Sequence, residues 1–566
     1  MGLMLITGCD SDGTKNKKPS NNKGSGNKTE DEVIVTSSVI ETTTPNIIYS
    51  DTDNTFEPTY IDEEEIVCNQ PDGAPVTLKV DDFGAKGDGV TDDAKAIYDA
   101  MMALVNSPRG SVLLFGKDKT YYYKDNGSSI RSVIYFNCNE QLTVKGDNTL
   151  ILLGGDSNYY ADVTSSKDIT IEGLSFDYKE YKAAFAATVE PENVDVKAGT
   201  AIVKADRELF MENGEVAVPR CNEFGVFPAD SSRYHMYLKK YEMIDKAQNL
   251  VKVYFDTSNG TTMSRLKNDY IYQYGFVLPA PYANKIERGF SIHGNHNFTM
   301  RNVNIYSTSR HVFSLQWNTG DFLFDSVNVV RAPYDQGLRY VSWADCYHLI
   351  HNRAKYTWKN CKNEWNYDDV FNISASTHYV SKVYSKKEFV MQPINDRSGG
   401  DYPRVGETIT IINVKTGALI GRATVRSIIS EKDGYITRVK VNEELPLLRE
   451  GEHIKCWVDD TVAPGSEFID CNFDGTFRAR SELTFTNCVF NNRRFWIGLD
   501  TIDNEGPVSK NIIFRNCEFT GDNAWDVSSG NSKKGGYRLQ NIVFENCKNI
   551  NESIIKPGTY DEVIFK

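Results

Sequence analysis

The sequence predicts an all-β protein: a right-handed parallel β-helix with two inserted small antiparallel β-barrel modules and an N-terminal capping helix. A short strand pattern recurs along the chain, and most copies place Asn or Asp before a Cys or an aliphatic residue. The copies are Ile169–Phe176, Phe298–Ile305, Phe322–Val329, Tyr356–Cys361, Phe468–Phe473, Leu483–Phe490, Ile512–Phe519 and Ile542–Asn549.

The spacing of these copies is that of stacked coils. Val303 and Val327 are 24 residues apart, and Cys517 and Cys547 are 30 residues apart, which is typical of solenoid repeats. Inward Ile, Val, Phe and Cys would stack from coil to coil, while the preceding Asn or Asp suits a tight left-handed corner. An antiparallel sandwich is the alternative, but it gives no reason for one recurring Asn-Cys corner.

Two stretches interrupt the repeat and are predicted to be the inserted barrel modules, within a β-helix domain spanning 66–566. Residues 181–278 and 386–460 show looser alternation, with hairpin-like turns at Lys246–Asn249 and Glu431–Gly434.

The β-helix domain opens with a strand, a Gly-rich turn and a helix. Thr91 is the expected helix N-cap, and Asp92 and Asp93 would favour the helix dipole. The glycines do not indicate a phosphate site, because no GK[ST] follows and the acidic helix start would repel an anion.

Composition excludes several classes of function. The 566 residues include 63 Lys and Arg against 77 Asp and Glu, a net charge of −14, so a nucleic-acid partner is not expected. The 11 cysteines form no CxxC pair, which indicates buried thiols rather than a zinc site or a disulfide scaffold. We therefore expect no metal and no cofactor.

The N-terminus predicts an extracytoplasmic location. Residues 1–9 end in Leu5-Ile6-Thr7-Gly8-Cys9, which resembles a truncated bacterial lipoprotein signal with Cys9 as the lipidated residue, although the charged n-region is missing. Residues 10–65 are polar and poor in large apolar side chains, as in a disordered tether. Since no long apolar run follows, the lipid anchor would be the only contact with a bacterial membrane or cell surface.

Three carboxylates stand out in the polar stretch 337–372. Asp345 precedes Asp368 by 23 residues and Asp369 by 24, which is one coil, so their side chains should lie on adjacent rungs of one face. Carboxylates packed this closely should raise at least one pKa, giving the acid and base that glycoside hydrolysis requires.

Other interpretations of the same residues remain open. Asp residues often bond to backbone amides at coil corners, in which case the cluster is structural. Clustered carboxylates also suit Ca²⁺, and a polysaccharide lyase would then use Arg339 or Arg353 as its base.

Family resemblances favour the hydrolase. The FGAKGDGVTDD segment at 83–93 resembles the start of the pectate-lyase-like superfamily, whose members fold as right-handed parallel β-helices. The order Gly-x-Arg, Ala-Asp-x-x-His, Asn-Cys and Asp-Asp-x-x-Asn, followed by a small barrel, is similar to glycoside hydrolase family 110, the inverting exo-α-1,3-galactosidases. The resemblance covers about residues 76–548 and implies that Asp345, Asp368 and Asp369 are catalytic.

Sugar-binding candidates surround these carboxylates, and stacking on Trp and hydrogen bonds to polar side chains are the expected contacts. The substrate-binding candidates are Arg339, Trp343, His348, Trp365, Asn372 and Arg480. The sequence departs from the family after Asn372, where Ile373-Ser374-Ala375 replaces a His-containing segment, and at Trp343, where smaller residues are usual. These departures predict a remodelled sugar subsite.

The sequence thus predicts an exo-acting glycoside hydrolase that removes terminal α-linked galactose with inversion and has carbohydrate as its partner. Two alternatives stay open: a β-helix polysaccharide lyase and a non-catalytic glycan-binding surface protein.

Overall fold

The computed structural model of the chain describes residues 66, 68–154, 159–179, 184–206, 211–212, 215–216, 223–226, 234–258, 260–267, 276–278, 288–308, 310–335, 341–342, 344–366, 368–394, 403–431, 436–491, 495–497, 505–507, 509–520, 540–550 and 563–566. Within them, long parallel sheets wind around one apolar core, which confirms the predicted parallel β-helix. No helix in this part of the chain has the length and apolar character needed to cross a membrane.

The elements are numbered in chain order. The first coils contain β1 (Thr77–Lys79), a 3₁₀ turn (Val80–Phe83), β2 (Asp88–Asp92), α1 (Ala94–Val105), β3 (Val112–Leu114), β4 (Thr120–Tyr123), β5 (Ser132–Asn137), β6 (Thr143–Leu153), β7 (Tyr159–Thr164) and β8 (Lys167–Tyr178). The first insertion contains β9 (Ala184–Ala187), a 3₁₀ turn (Pro191–Asn193), β10 (Val194–Asp195), β11 (Thr200–Ala205), β12 (Met211–Glu212), β13 (Glu215–Val216), β14 (Glu223–Val226), β15 (Tyr234–Asp245), β16 (Leu250–Phe255), α2 (Gly260–Lys267) and β17 (Phe276–Leu278).

The central coils contain β18 (Arg288–His293), β19 (His296–Ile305), β20 (His311–Gln316), β21 (Thr319–Val329), β22 (Tyr347–Ile350), β23 (Lys355–Lys359), β24 (Lys362–Asn363) and β25 (Asp369–Ser376). The second insertion contains β26 (His378–Ser385), β27 (Glu388–Pro393), β28 (Thr408–Asn413), β29 (Ala418–Glu431), β30 (Ile436–Val441) and β31 (Gly451–Val458).

The last coils follow a 3₁₀ turn (Asp459–Thr461). They contain β32 (Glu467–Ile469), β33 (Asn472–Asp474), β34 (Thr476–Ala479), β35 (Ser481–Thr486), β36 (Val489–Asn491), β37 (Phe495–Ile497), β38 (Glu505–Gly506), β39 (Lys510–Arg515), β40 (Glu518–Thr520), β41 (Gln540–Glu545) and β42 (Val563–Phe565).

Two sheets build the coils. Sheet A is the larger and includes β6, β8, β19, β21, β23, β32, β35, β39, β41 and β42. Sheet B consists of β5, β7, β18, β20, β22, β25, β34 and β37, which pair in parallel in that order. The short strand β38 pairs antiparallel with β25.

Rings of successive coils stack inside the β-helix. One ladder runs along sheet B, with centroid distances of 4.8, 4.6, 4.5 and 4.8 Å along Phe290, Phe313, Tyr347, Phe371 and Phe477. A second runs along sheet A, with distances of 4.5, 4.5, 4.8, 4.8 and 5.0 Å along Trp358, Phe468, Phe485, Phe514, Phe544 and Phe565. These distances match the spacing of hydrogen-bonded strands, so each coil packs its ring on the one before.

The corner residues have the predicted left-handed geometry. The positive φ angles lie between 52° and 57° at Asn302, Ser326, Asn360, Asp470, Asn487, Asn516 and Asn546. Asn tolerates this conformation better than other non-Gly residues. Its side chain also joins neighbouring coils, since Asn516 Nδ2 donates to Asn487 Oδ1 at 3.3 Å and Asn487 Nδ2 to Asp470 Oδ1 at 3.0 Å.

The cysteine after each corner points inward, as predicted. Each thiol lies 3.3–3.6 Å from a backbone carbonyl oxygen of the preceding coil, in the pairs Cys361–Phe324, Cys471–Trp358, Cys488–Phe468, Cys517–Phe485 and Cys547–Phe514. A small side chain with a weak donor fits this position, which explains the recurring Asn-Cys pair.

Both insertions are antiparallel, and they join opposite ends of sheet B strands. The first precedes β18 and the second follows β25. The second is a closed six-stranded barrel, as predicted, but it begins at His378 rather than 386 because β26 continues directly from β25. The first forms a seven-stranded sheet in the order β14-β15-β16-β11-β9-β17, with β10 beside β11, and the pairings among its described residues do not close it into a barrel.

Helix α1 begins later than predicted. Its N-cap is Asp93, not Thr91, because Thr91 instead donates its amide and hydroxyl to Asp88, at 2.7 and 2.8 Å. The Asp93 carboxylate accepts the amides of Lys86 and Gly87 at 2.6 and 3.0 Å, which ties the Gly-rich turn to the helix start. The apolar face of α1 joins the same core as the coils, consistent with the predicted cap.

Candidate active site

A polar column crosses the outer face of sheet B. Ser314, His348, Asn372 and Arg478 occupy matching positions on β20, β22, β25 and β34. Each directly follows a ring of the inner ladder, and neighbouring residues of a strand point to opposite faces, so these four side chains face away from the core.

The three predicted catalytic carboxylates meet at the start of this column. Asp369 is the first residue of β25, Asp368 precedes it, and Asp345 lies two residues before β22. One oxygen from each carboxylate lies within 4.8 Å of the others. The Cys346 amide donates to the Asp369 carbonyl at 2.8 Å, so the two segments are on adjacent rungs. The prediction that one coil separates these residues is confirmed.

Asp345 is held in its charged form. Its side chain is buried, and His348 Nδ1 lies 2.7 Å from Asp345 Oδ2. Burial alone would raise the pKa of Asp345, but the hydrogen bond and positive charge of His348 oppose that effect. The charges of His311 and Arg478 add to them, so the net result is a pKa of about 2, below the usual value of 3.8. The expected rise in pKa therefore does not occur at Asp345.

Arg478 binds a second carboxylate of the cluster. Its Nε lies 2.7 Å from Asp369 Oδ2, and the Asp369 side chain is only 4% exposed. A buried carboxylate of this kind is stabilised when ionised by the adjacent guanidinium. The sequence prediction chose Arg480, which lies two residues further along the chain and whose side chain is buried.

The other predicted substrate-binding residues have different surroundings. Asn372 is buried beside His348 and Arg478 in the polar column. The Arg331 guanidinium lies over the Trp365 ring, with its Cζ atom 4.2 Å from the ring centroid. Arg339, Trp343 and Cys9 lie outside the described residues, and their predicted roles remain predictions.

Sequence reasoning missed His311 and underrated Arg478. The His311 ring lies 4.9 Å from that of His348. His311 precedes Asp345 by 34 residues, and Arg478 follows Asn372 by 106 because the barrel intervenes. Neither separation in sequence equals the 24 residues between Asp345 and Asp369. A fixed repeat length therefore could not show that His311 and Arg478 lie beside the carboxylates.

Two groups here have the donor types of a metal site. They are His311, Asp345 and His348, and the three carboxylates Asp345, Asp368 and Asp369. The Arg478 guanidinium already lies against Asp369, and its positive charge would oppose a cation in the carboxylate group.

In comparisons with known proteins, this chain is similar to solved structures only. The A-module of mannuronan C-5 epimerase AlgE4 from Azotobacter vinelandii has 12% identity and a TM-score of 0.33, over 86% of this chain and 94% of that one. The adhesin PfbA of Streptococcus pneumoniae has 13% identity and a TM-score of 0.29, over 83% of each chain. The Agl-KA catalytic domain has 11% identity and a TM-score of 0.36, over 86% of this chain and 55% of that one. No protein-family model and no curated protein matches the chain. Similarity at this level transfers no activity to the chain, and the resemblance to glycoside hydrolase family 110 remains a prediction.

Proposed function

We propose that the protein is an exo-acting glycoside hydrolase that removes terminal α-linked galactose from glycans. The observation that carries the hydrolase proposal is the convergence of three carboxylates within 4.8 Å at the start of the polar column. Glycoside hydrolysis needs one carboxyl group as an acid and another as a base or nucleophile. The cluster has both, together with polar neighbours that can bind hydroxyl groups.

The surroundings of each carboxylate support a division of roles. Asp345, with its lowered pKa, stays ionised and is the proposed base. Asp369 is ion-paired with Arg478 and would stay charged as well. A third negative charge beside these two is unfavourable, so we assign the proton and the role of general acid to Asp368.

The choice of galactose comes from the family resemblance. The departure from the family at Ser374 lies on the outer face of β25, two residues beyond Asn372, but Ser374 is only 1% exposed. Asn372 is buried as well, with 4% exposed, so the choice of galactose rests on the family resemblance and not on the exposure of either residue.

The stereochemical outcome has two candidates. Inversion follows from the family resemblance and normally requires carboxyl groups about 6.5–9.5 Å apart, whereas retaining pairs are about 5–5.5 Å apart. The nearest oxygens here lie within 4.8 Å, and this short separation favours retention as the second candidate. The anomer of the released sugar distinguishes them.

The first test follows the released sugar by proton NMR. The protein is incubated with a reducing-end-labelled Galα1-3Gal trisaccharide beside the variant Asp368→Asn, which lacks the proposed general acid. We expect β-galactose to form first with the parent and none with the variant. If α-galactose forms first instead, the enzyme retains the anomeric configuration and the expectation of inversion is wrong. Absence of any release by the folded parent would contradict the galactosidase proposal and favour another terminal sugar or a purely binding role.

A lyase is less well supported by the same region. Its base would be Arg339 or Arg353, and only Arg353 is described. Arg353 forms a bidentate ion pair with Glu407 of the barrel, with Nε–Oε1 at 2.5 Å and Nη2–Oε2 at 3.0 Å. A guanidinium fixed in this way joins the barrel to the coils and is poorly placed to remove a proton.

Replacing His348 by Phe is expected to move the acid limb of the kcat/KM profile to higher pH by about one to two units. The variant loses the hydrogen bond and charge that lower the pKa of Asp345, while burial still raises this pKa.

In the parent, the ionised Asp345 also stabilises the fold at pH values above its unfolded pKa of about 3.8. This stabilisation is lost as the pH falls towards the folded-state pKa of about 2.

His351→Phe is the matched control for this pH profile. His351 follows β22, and its Nε2 lies 2.9 Å from the Ser376 hydroxyl rather than beside Asp345. Its acid limb should match that of the parent. An unchanged acid limb in His348→Phe would show that His348 does not set the charge of the proposed base.

A further inference from the structure

Tyr334 presents an exposed aromatic ring on the segment that leads from β21 towards Asp345. It lies in the segment that follows β21, and it is 58% exposed. Its hydroxyl group donates a hydrogen bond to Asp177 Oδ2 at 2.7 Å, and Asp177 is fully buried. The polar end of the side chain therefore points inward, and the apolar ring remains at the surface.

The ring is held in place from two sides. The second oxygen of Asp177 accepts the Ser307 hydroxyl at 2.5 Å, so the carboxylate that anchors Tyr334 is itself fixed. The Tyr306 ring packs edge-to-face on Tyr334, with centroids 5.9 Å apart. An exposed ring that is already ordered loses little conformational entropy when a ligand binds to it.

This ring lies on the coil corner that leads into the carboxylate cluster. Tyr306 precedes His311 by five residues, at most about 17 Å of extended chain. Arg331, three residues before Tyr334, lies over the Trp365 ring of the next coil, and Trp365 is three residues before Asp368. The aromatic surface is thus within reach of a short oligosaccharide whose terminal sugar occupies the cluster.

We propose that Tyr334 is the platform for a sugar on the leaving-group side of the cleaved bond. A pyranose ring has an apolar face of C–H groups, and an aromatic ring is the side chain that best covers such a face. The inference rests on the proposed function and adds where the rest of the glycan binds: on the corner around Tyr306 and Tyr334.

The test compares KM and kcat for the Galα1-3Gal disaccharide and for the trisaccharide that extends it at the reducing end. Tyr334→Ala is expected to raise KM for the trisaccharide by about three- to tenfold, with kcat within about twofold of the parent. Tyr334→Phe keeps the ring and should keep KM near the parent value, although it loses the bond to Asp177. Tyr384→Ala is the matched control, because Tyr384 is a 41% exposed tyrosine on the barrel, beside Arg438.

The outcomes separate the two proposals. An active parent with equal trisaccharide KM in Tyr334→Ala and Tyr384→Ala would overturn the platform and leave the hydrolase intact. A parent that cleaves neither oligosaccharide would overturn the galactosidase proposal and the platform with it. If Tyr334 only secures Asp177, both Tyr334 variants should melt at lower temperature and neither should change KM, which would also overturn the platform.

Discussion

Asp345→Asn is expected to lower kcat for glycoside hydrolysis by about 10³-fold, the scale of a lost general acid or base. The amide cannot accept a proton from water, and it also loses the charge that His348 and Arg478 stabilise. The change is nearly isosteric, so the coil stack beneath it should persist. Initial rates with the labelled trisaccharide, together with a circular dichroism spectrum, measure both effects.

Asp162→Asn supplies the matched control for Asp345. Asp162 lies on β7 of the same sheet, in register with Ser291 of β18 and therefore in line with the polar column, but outside the carboxylate cluster. Its side chain accepts the Thr164 hydroxyl at 3.1 Å. The control should retain the parent rate within a few fold. A rate loss in Asp345→Asn no larger than in Asp162→Asn would exclude Asp345 as the base.

The coil structure was predictable because its signal is local and repeated. Each Asn or Asp in a left-handed corner and each inward Cys belongs to one short segment, so eight copies reveal the geometry without knowledge of distant contacts. The step from Asp345 to Asp369 was predictable for the same reason, since one uninterrupted coil of 24 residues joins them.

The charge environment of the site depends on contacts that no local pattern encodes. Arg478 reaches Asp369 because β34 pairs with β25 once the chain returns from the inserted barrel. Repulsion within the cluster was expected to raise a pKa, but the sequence did not reveal that His348 and His311 would lower that of Asp345. The Tyr334–Asp177 bond joins residues 157 positions apart, across the first insertion.

The barrel boundary was misplaced for a related reason. Strand β26 follows β25 after a single residue, Thr377, and no Gly or Pro marks the junction. The change from parallel to antiparallel pairing is decided by the partners, β27 and β31, which come later in the chain. Strand content was therefore evident from the sequence, while the point where the chain leaves the coil was not.

Phe371→Ala is expected to destabilise the protein by about 3–5 kcal/mol and to lower activity with it. Phe371 is fully buried and stacks between Tyr347 and Phe477, with centroids 4.5 and 4.8 Å away. Trp358 and Phe468 pack edge-to-face on it, each at 5.0 Å. The truncation removes one ring from the sheet B ladder and leaves a cavity next to Trp358 and Phe468 of the sheet A ladder. Denaturant unfolding followed by Trp fluorescence measures the loss.

The same ring links the stability of the coil to the position of the carboxylates. Phe371 is two residues from Asp369 and adjacent to Asn372 on β25, so relaxation of the strand into the cavity would shift the groups that must align with the sugar. A displacement of about 1 Å can cost about 10²-fold in rate. Phe371→Leu, which keeps most of the volume, should lose less of both properties. If Phe371→Ala unfolds as late as Tyr384→Ala and keeps the parent rate, the ring ladder does not position the site.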